Sequence, residues 1–289
     1  MKRNIALRQR LLIYYVVVFS ALGVFHWWFY WSPDFVRKSE HFVTESTADE
    51  AITDKAVKKA ENIYRSYCHF WNVTNDEQPK ITDKHKLRIY KSRLEFKSIH
   101  PTSGWAEAFY MPPTCYQYIN RKAENPYHWM KHEIIHQLHR EVSSFKMKKW
   151  DNEGLACLFS TAKEIDGNII LGTIDSTTYP IWWIAKLNLT GDMKKDMRDK
   201  KIMKLKFIVE GKGGLNMDQH FNLYYIQWYS LVHFLVFGED GKYRESFKKY
   251  VRNKSPIEEF EDYFGALDTI QKQWYDHLKN KICLSIAVQ

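Results

Sequence analysis

His132-Glu133-Ile134-Ile135-His136, together with Asn152-Glu153-Gly154-Leu155-Ala156, is the part of this 289-residue sequence that decides its fold and its chemistry. An α-helix turns about 100° per residue, so His132 and His136 project from nearly the same line, one turn apart, and can bind one metal ion. Glu133 is offset by about 100°, which places its carboxylate beside the metal, where it can accept a proton from a metal-bound water. The spacing therefore predicts a helix that carries two metal ligands and a general base.

A catalytic zinc normally has three protein ligands and leaves its fourth position to water. Glu153 has the chemistry of the third ligand, and the chain between His136 and Glu153 is long enough for the first helix to end and the chain to turn. Asp151 or Asn152 is a suitable N-cap for a second helix with Glu153 in its first turn. We therefore expect one Zn²⁺ per chain, bound by His132, His136 and Glu153. The alternative is a solvated helix that contains two histidines by chance.

The motifs H-E-x-x-H and N-E-G-x-A resemble those of the gluzincin branch of zinc metallopeptidases, the group that includes thermolysin and the aminopeptidases related to leukotriene A4 hydrolase. The resemblance extends over about Cys68 to Leu235 and rests on motifs alone. It implies an α+β, thermolysin-like fold with a small β-sheet lobe and a mainly helical lobe. It also implies that His132, His136 and Glu153 bind zinc and that Glu133 is the general base and proton shuttle.

Tyr225 to Leu235 is similar to the helix on which the aminopeptidase members of that group place a tyrosine hydroxyl near the scissile carbonyl. The resemblance implies that Tyr225 donates a hydrogen bond to the developing oxyanion. Tyr224 is an alternative candidate for this role, and His220 is another by analogy with thermolysin. A tyrosine at the start of an aromatic-rich helix also fits a core residue with its hydroxyl at the edge, and that interpretation stays open.

Gly104 to Tyr110 alternates enough to predict a strand that precedes the zinc helix at about the interval typical of the family's substrate-lining edge strand. Such a strand can pair with an extended peptide by β-augmentation. In the aminopeptidases a similar Gly-x-x-Glu pattern binds the free amino group of the substrate, which implies substrate contacts for Gly104 and Glu107. The pattern is degenerate in this sequence, so endo- and exo-cleavage both stay open.

Leu11 to Trp31 is a run of 21 residues without Asp, Glu, Lys or Arg. Such a run is long enough for the ~30 Å hydrocarbon core of a bilayer. We expect a transmembrane signal anchor at 11–31, with Trp31 in an aromatic cluster at the outer interface, a cytoplasmic basic tail at 1–10 and a juxtamembrane linker at 32–47. The basic tail predicts a cytoplasmic N-terminus and a periplasmic or extracellular catalytic domain. A cleaved signal peptide is the alternative, because Ala21-Leu22-Gly23 offers small residues after the apolar run.

Residues 48–289 are expected to form one metallopeptidase-like domain, with the sheet and the zinc helix in 48–150 and a helical lobe in 151–289. Asn125-Pro126 is a suitable start for the zinc helix. Periodicity predicts one long helix and three strands before it: Ala48 to Trp71, Leu87 to Tyr90, Ala106 to Met111 and Cys115 to Ile119. The predicted later helices are Glu153 to Ala162, Pro180 to Leu187, Tyr224 to Phe237, Tyr243 to Val251, Ile257 to Phe264 and Leu267 to Asn280.

The formal net charge of the chain is +9. Part of it belongs to the basic tail, and no basic helix-turn-helix or aromatic RNA-binding platform accompanies the rest, so no nucleic-acid partner is expected. The cysteines are even in number, and an oxidising compartment would permit disulfides, although the sequence does not fix their pairing. Cys157 lies one helical turn beyond Glu153 and is expected to be a buried thiol near the site rather than a ligand.

The expected function is hydrolysis of peptide bonds in a peptide or protein substrate by a zinc enzyme anchored in a membrane through its N-terminal helix. Glu133 is the expected general base, and Tyr225 is the expected oxyanion donor. Two alternatives stay open. One is a catalytically silent, membrane-tethered binding protein on a peptidase scaffold. The other is a zinc hydrolase that acts on a non-peptide amide, because the ligand set does not define the substrate.

Overall fold

A computed structural model describes residues 12–20, 31–73 and 84–287 of the chain. Within these residues the chain is α+β, as the sequence predicts, with a five-stranded sheet before the zinc-motif helix and mainly helices after it. The structure therefore has the small sheet region and the large helical region that the sequence patterns indicate, and the two motifs lie where these regions meet.

The five-stranded sheet is mixed, with strand order β1-β2-β3-β5-β4. β2 pairs in parallel with β3 and β3 with β5, whereas β1 and β4 pair antiparallel with β2 and β5. The strands are β1 Phe35–Lys38, β2 Phe42–Ser46, β3 His85–Tyr90, β4 Ala108–Met111 and β5 Thr114–Tyr118. β4 is thus an edge strand, and one of its sides is not paired with another strand.

The predicted linker at 32–47 is wrong, because this segment supplies β1 and β2 of the sheet. In β2, the side chains of Phe42, Thr44 and Ser46 alternate inward and are fully buried. Only one of these three is apolar, so the alternation of hydrophobicity that reveals most half-buried strands is weak here. The other predicted strands are confirmed with shifts of one or two residues at their ends.

Helices cover both faces of the sheet. Helix α2 (Glu50–Trp71) begins at the N-cap Asp49, whose side chain accepts from the backbone N–H of Ile52, and its apolar face packs on β2. Helix α3 (Arg93–Ile99) covers the opposite face, where Phe96 packs in a small cluster with Tyr90 and other aromatic residues. The long predicted helix before the sheet is therefore confirmed.

Helix α4 (His128–Glu141) carries the first motif and lies between the sheet and the helical region. Its inward face consists of apolar side chains with no exposed area: Met130, Ile134, Ile135 and Leu138. The predicted start at Asn125-Pro126 is wrong by about one turn. The Asn125 side chain is engaged elsewhere, since its Nδ2 donates to Asp175 Oδ2 at 2.9 Å.

Helix α5 (Lys149–Ser160) carries the second motif and packs closely against helix α9 (Phe221–Phe237). Gly154 permits this approach, because a Cβ atom at that position would lie 2.5 Å from the carbonyl oxygen of Trp228 and 2.5 Å from Val232 Cγ2. The predicted cap of α5 is wrong: the helix begins earlier, after Lys148, and the carboxylate of Asp151 accepts instead from the Ser255 hydroxyl. Glu153 therefore lies beyond the first turn.

The remaining elements complete the helical region. A hairpin of β6 and β7 follows α5, and most of the predicted later helices are present, although two are shorter than expected and one continues as a π-helix. Their bounds are β6 Lys163–Ile165, β7 Asn168–Ile170, α6 Ile181–Ile184, α7 Met193–Arg198, α8 Leu205–Glu210, α10 Arg244–Arg252, α11 Phe260–Phe264, α12 Leu267–His277, the π-helix Leu278–Cys283 and α13 Leu284–Ala287.

The predicted transmembrane helix at 11–31 is not supported, and the predicted single-pass topology is corrected with it. Among the described residues, none of the helices combines the length and the apolar character that a membrane crossing requires. Helix α1 covers 12–20 in the described part, while residues 1–11 and 21–30 lie outside it. Trp31, expected at a membrane interface, packs on the folded domain instead: its Nε1 donates to Glu95 Oε1 at 3.1 Å and its ring lies 5.2 Å from that of Tyr90. The assignment of the domain to the periplasm or the extracellular space loses its basis.

Candidate metal centre

Three side chains of the two motifs converge at one point between α4 and α5. The Nε2 atoms of His132 and His136 are 3.2 Å apart. Glu153 Oε2 lies 3.2 Å from His132 Nε2 and 3.6 Å from His136 Nε2. The three ligand atoms are thus close enough to hold one metal ion, as the sequence predicts for these residues.

The chemistry of this donor set fits zinc. With Zn–N bonds of about 2.1 Å, two nitrogens at a tetrahedral angle are separated by roughly 3.4 Å, close to the spacing found here. The Nδ1 atom of His136 is 3.3 Å from Asn152 Oδ1. This amide oxygen can only accept, so Nδ1 carries the proton and the lone pair of Nε2 is directed at the cluster. Two imidazole nitrogens and a carboxylate oxygen that face one another repel unless a cation lies among them.

The charges of the cluster show the same need for a cation. Burial lowers the pKa of His136, but the charge of Glu153 outweighs it and raises the pKa to about 9. Burial raises the pKa of Glu153, but the positive charge on His136 outweighs this effect. The pKa of Glu153 therefore lies well below its usual range. Both shifts have the same cause: the three side chains stabilise positive charge at the point where they meet. A divalent ion supplies that positive charge more effectively, because it interacts with all three ligands at once.

Asn152 orients the second histidine ligand. Its Oδ1 accepts from Nδ1 of His136 and also from Nδ1 of His139, at 3.0 Å. His139 is 3% exposed, and burial lowers its pKa to about 3, so it donates as a neutral imidazole. Metal-binding histidines usually donate their second ring nitrogen to such an acceptor, which fixes the ring and its tautomer. The sequence indicates a helix cap at Asn152, and only the tertiary structure reveals this other role.

Cys157 lies behind the first histidine ligand. Its Sγ is 3.9 Å from Nδ1 of His132, on the side of the ring opposite the cluster, and the residue is fully buried. This confirms the prediction of a buried thiol near the site rather than a ligand. Burial raises the pKa of Cys157 well above its usual value, so the thiol stays protonated. All of the cysteines, Cys68, Cys115, Cys157 and Cys283, are free, so the structure contains none of the disulfides that the sequence would permit.

Glu133 lies beside the cluster and is held by the edge strand. The backbone N–H of Tyr110 in β4 donates to Glu133 Oε2 at 2.9 Å. This bond orients the carboxylate and leaves Oε1 without a hydrogen-bond partner among the described residues. A carboxylate fixed by a backbone donor, next to the metal ligands yet outside their set, has the arrangement that a general base requires. The predicted separation of ligand and base along α4 is therefore present in the structure.

Tyr225 is the tyrosine nearest to the ligands among the candidates. Its ring centre lies 6.4 Å from that of His132. Burial and the charge of Glu153 raise the pKa of Tyr225, so its hydroxyl is a neutral hydrogen-bond donor. Tyr224 is directed elsewhere, since its hydroxyl donates to the carbonyl oxygen of Leu215 at 2.6 Å. His220 is the N-cap residue of α9 and is not part of the ligand cluster.

Gly104 and Glu107 lie away from the ligands. Gly104 is exposed and has a positive φ of 57° in the turn before β4. The Glu107 carboxylate accepts from Asn120 Nδ2 at 3.1 Å. Because side chains alternate along a strand, Glu107 is directed to the face of the sheet opposite that of Ala108 and Tyr110. The implied contact between Glu107 and a substrate amino group is therefore not supported by its position.

Two of the candidate ligands, His136 and Glu153, line a cleft of about 680 Å³ between β4 and the ends of α4 and α5. Beyond the ligands, its lining includes two cationic side chains that the sequence did not single out, Arg140 and Lys146. Aromatic side chains surround the other side of the cluster, where the Trp129 ring lies 6.2 Å from His132 and 5.2 Å from Tyr179. The surroundings of the three candidate ligands thus differ: the cleft on one side carries cations, and aromatic rings lie on the other.

A second group with ligand chemistry consists of Glu40, His41 and Glu61. Both carboxylate oxygens of Glu61 are engaged: Oε1 accepts from the His41 backbone at 2.9 Å, and Oε2 lies 2.7 Å from His41 Nδ1. The His41 ring stacks on Tyr64 at 3.7 Å between centres. These contacts tie the β1–β2 turn to α2, which gives the group a structural role.

Comparison with known proteins adds no family to this description. No family model matches the chain, and no curated protein matches it. The resemblance to gluzincins therefore rests on the residues of the two motifs and stays a hypothesis, and the activity and the zinc ion remain proposals. What the structure itself contributes is the geometry of His132, His136, Glu153 and Glu133.

Proposed function

We propose that this protein is a zinc-dependent peptidase that hydrolyses peptide bonds with Glu133 as its general base. One observation carries the proposal: His132, His136 and Glu153 present their ligand atoms to one point, while Glu133 lies next to them on α4 and accepts a hydrogen bond from the backbone of the edge strand β4. A purely structural zinc site has four protein ligands and no adjacent free carboxylate. Three ligands leave a position for water and substrate, which favours a catalytic centre.

Each side chain of the site has its own role in the proposed hydrolysis. When bound, zinc supplies a Lewis acid that lowers the pKa of its water and polarises the substrate carbonyl. Glu133 accepts the proton of the attacking water through Oε1 and returns it to the leaving amine. The Tyr225 hydroxyl donates a hydrogen bond to the oxyanion that develops on the carbonyl oxygen of the substrate. Asn152 keeps the lone pair of His136 Nε2 directed at the metal.

The edge strand β4 supplies a site for the substrate backbone. The N–H of Tyr118 donates to the carbonyl of Glu107, so in the antiparallel register the backbone groups of Phe109 and Met111 face β5 and those of Ala108 and Tyr110 face away from it. Ala108 is covered, with 5% of its area exposed. The carbonyl of Tyr110, next to Glu133, is therefore the acceptor that an extended peptide would meet first.

The test compares the zinc-loaded wild-type protein with Glu133→Gln on a mixture of unstructured peptides, by mass spectrometry. Glutamine keeps the size of the side chain and its hydrogen bond to the Tyr110 N–H through the amide oxygen, but it cannot accept the proton. We expect the variant to retain one zinc per chain and to lose peptide cleavage by about 100-fold or more. Glu124→Gln changes an exposed glutamate just before α4 and serves as the matched control.

Three results would contradict the proposal. Cleavage that persists in Glu133→Gln would remove Glu133 from the role of base. Cleavage that survives a chelator, in protein shown to be metal-free, would remove zinc from the reaction. A zinc-loaded wild-type protein that binds peptides but leaves all of them intact would favour the alternative of a binding protein on a peptidase scaffold.

A further inference from the structure

One stripe of α4 runs from an aromatic residue, past two of the candidate ligands, to a cation at the cleft. Trp129, His132, His136 and Arg140 follow one another at intervals of three or four residues, so they lie on one side of the helix. Each interval advances by about 4.5–6 Å along the axis. The metal ligands thus have an aromatic side chain one turn before them and a cation one turn after them.

The basic end has two cations that form no ion pair or hydrogen bond within the described part of the chain. Arg140 and Lys146 are both exposed and both line the cleft that contains the ligands. The loop that carries Lys146 is anchored: the N–H of Phe145 donates to the carbonyl of His139 at 2.9 Å, and its ring packs 4.6 Å from that of Trp71. A fixed loop holds the Lys146 backbone next to the cleft.

An aromatic wall lies around the first ligand, beyond the part of the cleft that Arg140 and Lys146 line. Trp105, which is 62% exposed, lies just before β4, and its ring is 6.1 Å from that of Trp129 and 5.4 Å from that of Phe221. Phe221 in turn lies 4.6 Å from Tyr225. This aromatic wall combines rings from the turn before β4, from α4 and from α9, and such ring surface binds apolar and aromatic side chains.

The relative direction of β4 and α4 decides which end meets which part of a substrate. Trp105 precedes β4 and contacts Trp129 in the first turn of α4, whereas the Tyr110 hydroxyl donates to Glu141 at the last residue of α4, at 2.8 Å. The two elements therefore run in the same direction. Strands pair antiparallel two to three times as often as parallel. A substrate antiparallel to β4 directs its N-terminal part to the basic end and its C-terminal part to the aromatic end.

We propose that the cleft selects peptides with an acidic side chain on the N-terminal side of the scissile bond and an apolar, preferably aromatic, side chain on its C-terminal side. The spacing of about 6 Å between His136 and Arg140 corresponds to roughly two residues of an extended chain, so the acidic residue lies within about three residues of the cleaved bond. This inference rests on the proposed peptidase function and adds its substrate class. A free amino terminus close to the scissile bond is disfavoured, because its positive charge would face Arg140 and Lys146.

The experiment measures kcat/KM of the zinc-loaded protein on quenched fluorescent peptides with blocked ends. One series carries Glu, Gln or Lys at each of three positions on the N-terminal side of the cleaved bond. A second series places the same residues on the C-terminal side. We expect Glu to exceed Gln by about fivefold to tenfold at one or more of the N-terminal positions, with Lys the poorest, and we expect high salt to reduce the preference.

Two variants assign the preference to the cleft. Arg140→Gln/Lys146→Gln should make Glu and Gln peptides equivalent, while Lys122→Gln/Arg198→Gln, which removes the same charge from exposed positions outside the cleft, should leave the preference unchanged. Replacement of the aromatic residue on the C-terminal side by Ala should lower kcat/KM in all three proteins alike. A preference that survives in the first variant, or an acidic preference on the C-terminal side, would overturn the proposal.

A binding measurement separates this inference from the peptidase proposal. Zinc-loaded Glu133→Gln retains the cleft, so fluorescence anisotropy can compare its affinity for the Glu and Gln peptides without any cleavage. If no peptide is cleaved by the wild-type protein but the variant still binds Glu peptides more tightly, the peptidase function fails and the charge recognition stands. Equal affinities for the Glu and Gln peptides would overturn the recognition, whether or not the wild-type protein cleaves them.

Discussion

The two walls of the cleft are built differently. The helical wall, formed by α4, α5 and α9, is close-packed: an added carbon at Gly154 would lie 2.5 Å from the α9 backbone, and His139 behind the ligands is 3% exposed. The strand wall, formed by β4 and the turn before it, is an edge strand paired on one side only, preceded by Trp105 at 62% exposure. Packing contacts hold the helical wall in place on several sides. The strand wall is unpaired on the side that faces the candidate ligands.

This difference indicates that the two walls have different functional roles. Ligand geometry tolerates errors of only a few tenths of an ångström, so the metal-binding side chains belong on elements that neighbouring helices hold in place. A substrate backbone needs an unpaired edge, which a buried strand does not offer. If the comparison is right, changes in the helical wall affect zinc binding and catalysis strongly, and changes in the strand wall affect which peptides are bound.

In the helical wall, after the general base, the largest loss of activity is expected from a substitution at Tyr225 of α9, and the adjacent Tyr224 supplies its control. Tyr225→Phe removes the hydroxyl of a tyrosine whose ring centre lies 6.4 Å from that of His132, and it should lower kcat by roughly 100-fold with zinc content unchanged, because one oxyanion donor is worth about that much. Tyr224→Phe is the matched control: it loses a hydrogen bond to Leu215 and should retain near-wild-type kcat. Steady-state kinetics on one cleaved peptide decides between them. Equal kcat values in the two variants would contradict the catalytic role of Tyr225 and favour the alternative that it is a core residue.

A slightly smaller effect is expected at Asn152. Asn152→Ala removes the oxygen that accepts from His136 and His139, so the ligand ring loses its fixed tautomer. Zinc affinity should fall by about 10-fold to 100-fold, the range found for partners of ligating histidines. Asn152→Asp keeps an acceptor oxygen and should restore most of the affinity. Competition with a chromophoric chelator measures both. If alanine and aspartate weaken zinc binding equally, the position acts through packing and not through the hydrogen bonds.

Next in size is the effect of Gly154 on stability. Gly154→Ala forces α5 and α9 apart, because its Cβ would meet both the Trp228 carbonyl oxygen and Val232 Cγ2 at 2.5 Å. Overpacking of this kind costs about 1–3 kcal/mol in the free energy of unfolding, measurable by urea denaturation. Adding Val232→Ala should recover only part of the loss, since the backbone oxygen remains. A fully stable Gly154→Ala protein would mean that the helical wall is less rigid than the packing indicates.

The sequence predicts the ligand set because its geometry is mostly local. The spacing of His132 and His136 fixes their common direction as soon as the segment is helical, and Glu153 needs only that α5 follows α4 as an antiparallel neighbour. Gly154 is visible in the sequence as part of the second motif, but its reason, the contact with α9, depends on a residue far along the chain. The arrangement of the three candidate ligands is therefore predictable from short segments, and its packing is not.

The elements that the sequence analysis missed depend on tertiary contacts or on polar patterns. In β2 the buried positions include the polar residues Thr44 and Ser46. The strand therefore lacks the alternation of apolar and polar residues that predicts a half-buried strand. The transmembrane prediction for 11–31 rests on length, absence of charge and flanking residues, and none of these reveals that Trp31 at the end of the run packs on Tyr90 in the domain. In the sequence, Arg140 and Lys146 look like ordinary solvated cations. They line the cleft because the chain turns back after α4.

The smallest effect is expected in the strand wall, at Glu107. Glu107→Gln keeps an acceptor for Asn120 Nδ2 and changes only the charge of a side chain that lies on the face of β4 away from the ligands. We expect kcat/KM to change by less than about twofold, because a solvated charge outside the cleft contributes little. The measurement uses pairs of peptides that differ only in a free or an acetylated N-terminus. A loss confined to the free-amine peptides would restore Glu107 as an amine anchor, and the strand wall would then take part in binding through a side chain as well as its backbone.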